Sequence, residues 1–202
     1  YMSNEKGFST KAIRGQMDAT HYREHSTPLF LTSSFTFPSA EQMRDTFAGE
    51  EEGIIYSRYN NPSVDEFIHK MCLLEGAEAG FATASGMSAV FSALMALVRS
   101  GDHILATRAV FGSTHQILTS LMPRWGVSHS YVEPDQPQDW DAAVQENTRI
   151  LLLETPSNPG LALVSCRRAQ KIASRHKLST SFGTPMFRPF DYRKAKAGAQ
   201  KR

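Results

Sequence analysis

Cysteine is scarce in this chain of 202 residues: Cys72 and Cys166 stand in segments of different pattern, with no Cys-x-x-Cys and no metal-ligand spacing. That excludes a disulfide framework and a zinc module as organising features, and a reduced, cytoplasmic protein fits best. Long apolar runs are lacking too. The longest, residues 89–98, is broken by Ser92 and is too short to span a bilayer. The polar start, residues 1–6, leads into no apolar stretch, so no signal peptide is expected; a start at Tyr1 rather than methionine is what a fragment shows. Neither sign of charge dominates, with 22 Lys+Arg against 20 Asp+Glu and a net charge of +2. Bulk electrostatics therefore implies no nucleic-acid partner and no membrane partner. A basic excess exists only near the end, where Arg188, Arg193, Lys194, Lys196, Lys201 and Arg202 face Asp191 alone. Such a stretch reads as a solvated, frayed tail. The seven histidines show no His-Glu-x-x-His spacing, so no metal is expected. Neither G-x-G-x-x-G nor G-x-x-x-x-G-K-[ST] occurs, which disfavours a nucleotide site of either kind.

What is present is ordinary globular composition, 41% hydrophobic and 21% charged, enough for one good core. No internal repeat is found. Residues 1–60 read as an N-terminal arm. Within it, residues 27–37 are β-rich but bounded by Pro28 and Pro38. A helix is expected to start at Ser39, with Gln42 in capping-box position and the acidic run at residues 50–53 closing it. From residue 61 the pattern becomes regular. Asn61 suits an N-cap and Pro62 a first turn; Val64, Phe67, Ile68, Met71 and Leu74 recur at helical spacing, and Gly76 is a stop. Strands are then predicted over 80–84, 103–107, 129–133 and 149–154. Helices are predicted over 87–99, 114–125 (cut short by Pro123), 140–145 and 166–176. The Ile150–Leu153 run suits a strand buried on both faces. The alternation predicts an α/β domain in three layers with a mainly parallel sheet, and ligands at the carboxyl ends of its strands.

Four segments could carry chemistry. Ser85, Gly86 and Met87 lie at a turn into a helix, where small residues, free N–H groups and the helix dipole favour a phosphate; by itself such a turn is more often structural. Tyr56 and Arg58 stand in Tyr-Ser-Arg-Tyr-Asn-Asn-Pro, where an arginine can grip phosphate in bidentate fashion, although a plain polar loop with half-buried rings is the commoner case. Glu154 and Asn158 belong to Glu-Thr-Pro-Ser-Asn-Pro-Gly, directly after the apolar strand; two prolines and a glycine can hold Asn158 in one pose or simply make a tight turn. Phe111 follows the strand over 103–107 and could stack on a flat ring, though a core phenylalanine is the more frequent outcome.

Together, and in order, the arm Arg14-Gly15 through His25-Ser26-Thr27-Pro28-Leu29, then Tyr-Ser-Arg-Tyr-x-Asn-Pro, Ala-Ser-Gly-Met and Glu-Thr-Pro-Ser-Asn-Pro resemble the fold-type I pyridoxal-phosphate (PLP) enzymes of Cys/Met metabolism. The resemblance runs from Ser9 to about Leu163, and it is greatest to the O-succinylhomoserine sulfhydrylase branch, through His-Ser-Thr-Pro-Leu and Val-Phe-Gly-Ser-Thr-His. It implies PLP as cofactor, an amino-acid substrate and sulfide, and formation of homocysteine from O-succinylhomoserine; the relatives cystathionine γ-synthase and γ-lyase differ in nucleophile or direction. By the same resemblance, Ser85, Gly86 and Met87 cup the PLP phosphate. Phe111 takes the place of a ring-stacking tyrosine and leaves no phenol there. Asn158 bonds the PLP 3′-oxygen or the substrate carboxylate region, with Glu154 in support. Tyr56 and Arg58 reach the cofactor of a neighbouring subunit, which implies a homo-oligomer.

Two family essentials are not found. The Schiff-base lysine lies several dozen residues beyond this chain in a Ser-x-x-Lys context, and Ser174-Arg175-His176-Lys177 matches that pattern only by chance, in the wrong element. In the family the acid that pairs with the pyridinium nitrogen lies in a Val-Asp-Asn strand after the next helix; here the preceding apolar run is shortened, no such strand is expected, and Ser179 stands in the place of the aspartate. Residues 61–178 thus read as a partial PLP-binding domain and 179–202 as a divergent tail. A frameshifted remnant without catalysis is the reading from another class.

Overall fold

Backbone pairing decides where this chain is sheet. The computed structural model describes residues 7–15, 19–136, 138–183 and 188–190, those from 180 onward as backbone. By internal contacts the chain divides into residues 1–82 and 83–202.

In the first unit, α1 (Phe8–Arg14), α2 (Ala40–Ala48) and α3 (Pro62–Glu75) are helical. Helix α1 lies where no helix is expected from the pattern. The Ser39 hydroxyl caps α2 by accepting from Gln42 N–H at 3.1 Å, as the capping signal predicts. The second arm of the box is not formed, because Gln42 Nε2 donates instead to Glu51 Oε1 at 2.9 Å. The acidic run does not end the helix; Gly49 does, in the left-handed conformation at φ 75°. Asn61 caps α3, accepting from Ser63 N–H at 2.9 Å. Its side-chain amide also donates to the Phe30 carbonyl (3.0 Å) and to Ser57 Oγ (2.9 Å). One buried asparagine thus ties the helix start to two stretches of the arm. The β-rich stretch 27–37 forms only an isolated bridge, Ser34 to Tyr56.

The second unit is an α/β domain. Its elements are α4 (Gly86–Leu97), β1 (His103–Thr107), α5 (Gly112–Gln116), β2 (Ser128–Val132), α6 (Trp140–Ala143), β3 (Thr148–Glu154), α7 (Cys166–His176), β4 (Ser179–Gly183) and β5 (Arg188–Phe190). The sheet order is β2-β1-β3-β4-β5, parallel throughout except for the antiparallel β5. Side chains alternate across it with period two. Ile104, Ala106, Ile150 and Leu152 face one core, with Val90 and Leu94 of α4 and Leu118 and Met122. Leu105, Leu151 and Leu153 face the other, with Trp140 of α6 and Ala169, Ile172 and Ala173 of α7. The three layers predicted from the alternation are therefore present.

Three expectations are corrected. Residues 80–84 form no strand. A strand needs a hydrogen-bonded neighbour, and among the described residues this segment pairs with none. The strand missed after α7 exists: β4 pairs with β3 from Ile150–Ser179 to Glu154–Gly183. The main-chain ladder does not require an apolar run, so Ser179, Thr180 and Ser181 can occupy the place beside β3. The helix over 114–125 begins earlier, at Gly112, and widens into a π turn (Ile117–Leu121) before a 3₁₀ turn (Met122–Trp125). Pro123 offers no N–H to the carbonyl four residues back, and the widened turn accommodates that gap.

His103 is 1% exposed, with Nδ1 2.8 Å from Thr148 Oγ1 and Nε2 3.0 Å from Ser130 Oγ. Burial, with the charge of His129 adding, holds its ring below the ordinary histidine value of 6.5. The unfolded chain then takes up the proton first as pH falls. The stabilisation is complete above 6.5, declines as pH drops toward the lower folded value, and levels off below it. Urea midpoints are expected to fall less steeply between about pH 7 and pH 5 in a His103→Gln variant than in the parent. Equal slopes would contradict this.

Candidate functional site

Parallel strands deliver their following loops to one edge of the sheet. Phe111 follows the end of β1 and is 40% exposed, so it is not a core ring. It occupies the N-cap of α5 in an extended conformation, φ −58° and ψ 145°, and has no side chain able to cap. Its N–H donates to Glu154 Oε2 at 2.7 Å. Glu154 ends β3, so a carboxylate on one strand end holds the turn that leaves the neighbouring strand. The flanks of that turn are held from β2 and the residue that follows it. Arg108 Nε is 2.6 Å from Glu133 Oε1, its guanidinium lies 5.4 Å from the Tyr131 ring centre, and His115 Nδ1 is 2.8 Å from the Tyr131 hydroxyl. Burial pushes the Tyr131 phenol up despite the opposing Arg108 charge, so it stays protonated at neutral pH.

Asn158 is exposed, in the loop after β3. The loop is folded by neighbours that the sequence pattern did not single out. Ser157 is buried; its carbonyl accepts from Leu161 N–H (2.9 Å) and its hydroxyl from Ala162 N–H (2.9 Å). Thr155 Oγ1 accepts from Val164 N–H at 3.0 Å. Serine and threonine commonly make such local bonds to backbone, and that was the available signal.

Helix α4 leads into β1 through residues 98–102, so its C-terminus lies at the amino edge of the sheet. At about 18 Å for its twelve residues, its N-terminus comes up to the carboxyl edge. There Ser85 is the N-cap and accepts from Ser88 N–H at 3.1 Å, while Thr83 Oγ1 donates to the Ser85 carbonyl at 2.8 Å. The N–H groups of Gly86 and Met87 have no carbonyl four residues back inside the helix. A Cβ built on Gly86 would meet nothing within 4 Å. That open space beside free amides, at the positive end of a helix dipole, suits the dianionic phosphate of PLP. Ser85, Gly86, Met87, Phe111, Glu154 and Asn158 thus share one edge of the second unit.

Tyr56 and Arg58 belong to the first unit. The Arg58 guanidinium sits 5.4 Å from the Tyr56 ring centre and 5.3 Å from that of Tyr59. Both rings are exposed, and with Phe35, Met43, Phe47 and Ile55 they line a cleft of about 380 Å³. Lys177, set aside from catalysis on pattern, caps the C-terminus of α7 just before β4 and is therefore at the amino edge, opposite the candidate residues. Ser179 opens β4 at that same amino edge. Among the described residues no group of three or more His, Cys, Asp or Glu could hold a metal ion, and no helix is long and apolar enough to cross a membrane.

A mainly parallel sheet covered by helices on both faces defines an α/β protein, a class in which ligands sit at the carboxyl edge of the sheet. Residues 9–196 match the Cys/Met metabolism PLP-dependent enzyme family, and the chain belongs to that family. The match extends past residue 163, into the stretch that reads as a divergent tail. The chain is 38% identical over 182 residues to an O-succinylhomoserine sulfhydrylase of Mycobacterium tuberculosis, covering 88% of this chain and 45% of the relative. It is 39% identical over 171 residues to an L-methionine gamma-lyase of Porphyromonas gingivalis, covering 85% and 43%. A solved structure from Campylobacter jejuni, assigned as an O-acetylhomoserine (thiol)-lyase and holding N′-pyridoxyl-lysine-5′-monophosphate, superposes with a TM-score of 0.82 at 27% identity, over 87% of this chain and 44% of that one. The chain spans somewhat less than half the length of these relatives.

Proposed function

We propose that this chain provides the phosphate cup and one side of the cofactor pocket of a PLP-dependent sulfhydrylase, which forms homocysteine from O-succinylhomoserine and sulfide. The similarity to methionine gamma-lyases supports a second reading, γ-elimination from a sulfur amino acid, on the same pocket. When bound, PLP supplies an electron sink for charge developing on the amino-acid substrate. The residues of this chain bind and orient it. Gly86 and Met87 N–H groups and the Ser85 O–H donate to the phosphate, Phe111 covers a face of the ring, and the Asn158 amide donates to the ring oxygen or the substrate carboxylate. Glu154 supports them, and Tyr56 and Arg58 reach the phosphate bound by a neighbouring subunit, so the complete site requires a homo-oligomer. On this reading the pocket belongs to the second unit, which begins at Thr83 and whose sheet continues past residue 178 through β4 and β5.

The observation that carries the proposal is the start of α4, where Ser85 caps the helix through Ser88 N–H and the Gly86 and Met87 amides face no helical carbonyl, beside open space at Gly86. It also supplies a test that separates binding from folding. In a helix the Cβ leans toward the N-terminus, so on this reading a methyl at position 86 would crowd the phosphate while meeting nothing within 4 Å outside its chain neighbours and its own helix backbone. Gly86→Ala is expected to leave the unfolding midpoint unchanged or slightly raised, alanine being the better helix former by up to ~1 kcal/mol. The same variant is expected to weaken PLP binding, followed by equilibrium dialysis, by at least about tenfold, the worth of one lost charge-assisted hydrogen bond. Unaltered PLP affinity in a normally folded variant would remove the phosphate cup from this turn.

A further inference from the structure

We infer that Glu154 is a positioning residue for the Phe111 ring, acting through the Phe111 backbone N–H as a capping-box acid supplied by another strand. The inference rests on the reading that Phe111 covers the PLP ring.

In an ordinary capping box the third helical residue is Glu or Gln, and its side chain returns to the N–H of the N-cap residue. Helix α5 cannot do this from its own sequence. Its N-cap is Phe111 and its third residue is Thr114, which is buried. The acid arrives instead from β3, where Glu154 Oε2 lies 2.7 Å from the Phe111 nitrogen, a charge-assisted bond across 43 residues of sequence. A negative group at that point also complements the helix N-terminus. On either side, Arg108 is paired with Glu133 and His115 is bonded to Tyr131. With one flank held by Tyr131 of β2 and the other by Glu133 just after it, the Glu154 bond fixes the backbone between them, and with it the direction in which a half-exposed ring leaves the chain. Because Glu154 also begins the loop that carries Asn158, one carboxylate couples the ring-side residue to the carboxamide.

The test uses the 202-residue chain, uniformly labelled with ¹⁵N, and PLP as the probe. The Phe111 amide proton is expected downfield and slow to exchange. It is expected to move upfield in Glu154→Ala and to exchange about tenfold faster, while the remaining amides report an intact fold. In Glu154→Gln the carbonyl oxygen still accepts, so the amide stays protected. PLP dissociation constants are expected to rise about tenfold for Glu154→Ala and for Phe111→Ala, to rise little for Glu154→Gln, and to rise no further in the double alanine variant. An unshifted Phe111 amide in Glu154→Ala overturns the bond itself. Additive losses in the double variant overturn positioning, since Glu154 would then act on the ligand without Phe111. If the amide shifts as expected but neither alanine variant changes PLP affinity, the ring-covering reading of Phe111 fails and this inference fails with it.

Discussion

Supplied with PLP, O-succinylhomoserine and sulfide, a polypeptide of these 202 residues by itself is expected to form no homocysteine. PLP catalysis of this kind needs an amine held over the ring and an acid beside the ring nitrogen. The lysine motif that the family resemblance implies does not occur in these residues. Lys177, a chance match to its local spelling, stands at the amino edge of the sheet, opposite Phe111 and Asn158. Position 179 holds serine, which carries no charge, and it too lies at the amino end of β4. The phosphate cup and the Asn158 contact proposed above depend on neither group, so PLP is expected to bind reversibly. The measurement is homocysteine release together with borohydride reduction and mass spectrometry. Turnover accompanied by a stoichiometric pyridoxyl-lysine on this polypeptide would overturn the expectation and give a lysine of this chain the catalytic place.

Trp140→Ala is expected to lower the unfolding free energy by about 3–5 kcal/mol, the usual cost of truncating a buried large aromatic. Trp140 is fully buried among Leu151, Leu153, Ile172 and Ala173, and it packs the short α6 onto the sheet. Its indole N–H donates to the Glu133 carbonyl at 2.8 Å, so the truncation also strips a partner from the residue that pairs with Arg108. Trp140→Phe keeps most of the volume and is expected to lose roughly half as much. Urea unfolding followed by circular dichroism reads both. A loss under about 1 kcal/mol for the alanine variant would mean that α6 packs independently of this ring.

The first core was legible where period and composition agree. Ile150 to Leu153 reads as a strand covered on both faces, and the structure divides those four side chains between two helical layers. Helix starts were legible for a local reason: Ser39, Asn61 and Ser85 each accept an N–H two or three residues ahead, so cap and partner lie within one reading window. The surroundings of the candidate residues were legible in the same way: Ser85 stands at a helix start, Glu154 ends a strand and Asn158 lies in the loop directly after it.

Whatever depended on a distant partner was not legible. Residues 80–84 have strand-like character and form no ladder, while Ser179 to Gly183 have little of it and do. A strand is a relation between two segments, and its hydrogen bonds are satisfied or left open by a neighbour that no local pattern names. Gln42 could have closed its own helix and was drawn to Glu51 instead. Glu154 read as a general supporting group, and only the lateral placement of β1 beside β3 aims its carboxylate at the Phe111 N–H. The sequence by itself therefore determined where the capped helices α2 and α3 begin, which apolar run is buried, and which family motifs the chain bears, because those follow from contacts within a few residues; α1 carries no such cap. Tertiary structure alone decided which segments join the sheet, which edge each candidate residue occupies, and which acid holds which amide, because those bonds close only when strands far apart in the chain lie side by side.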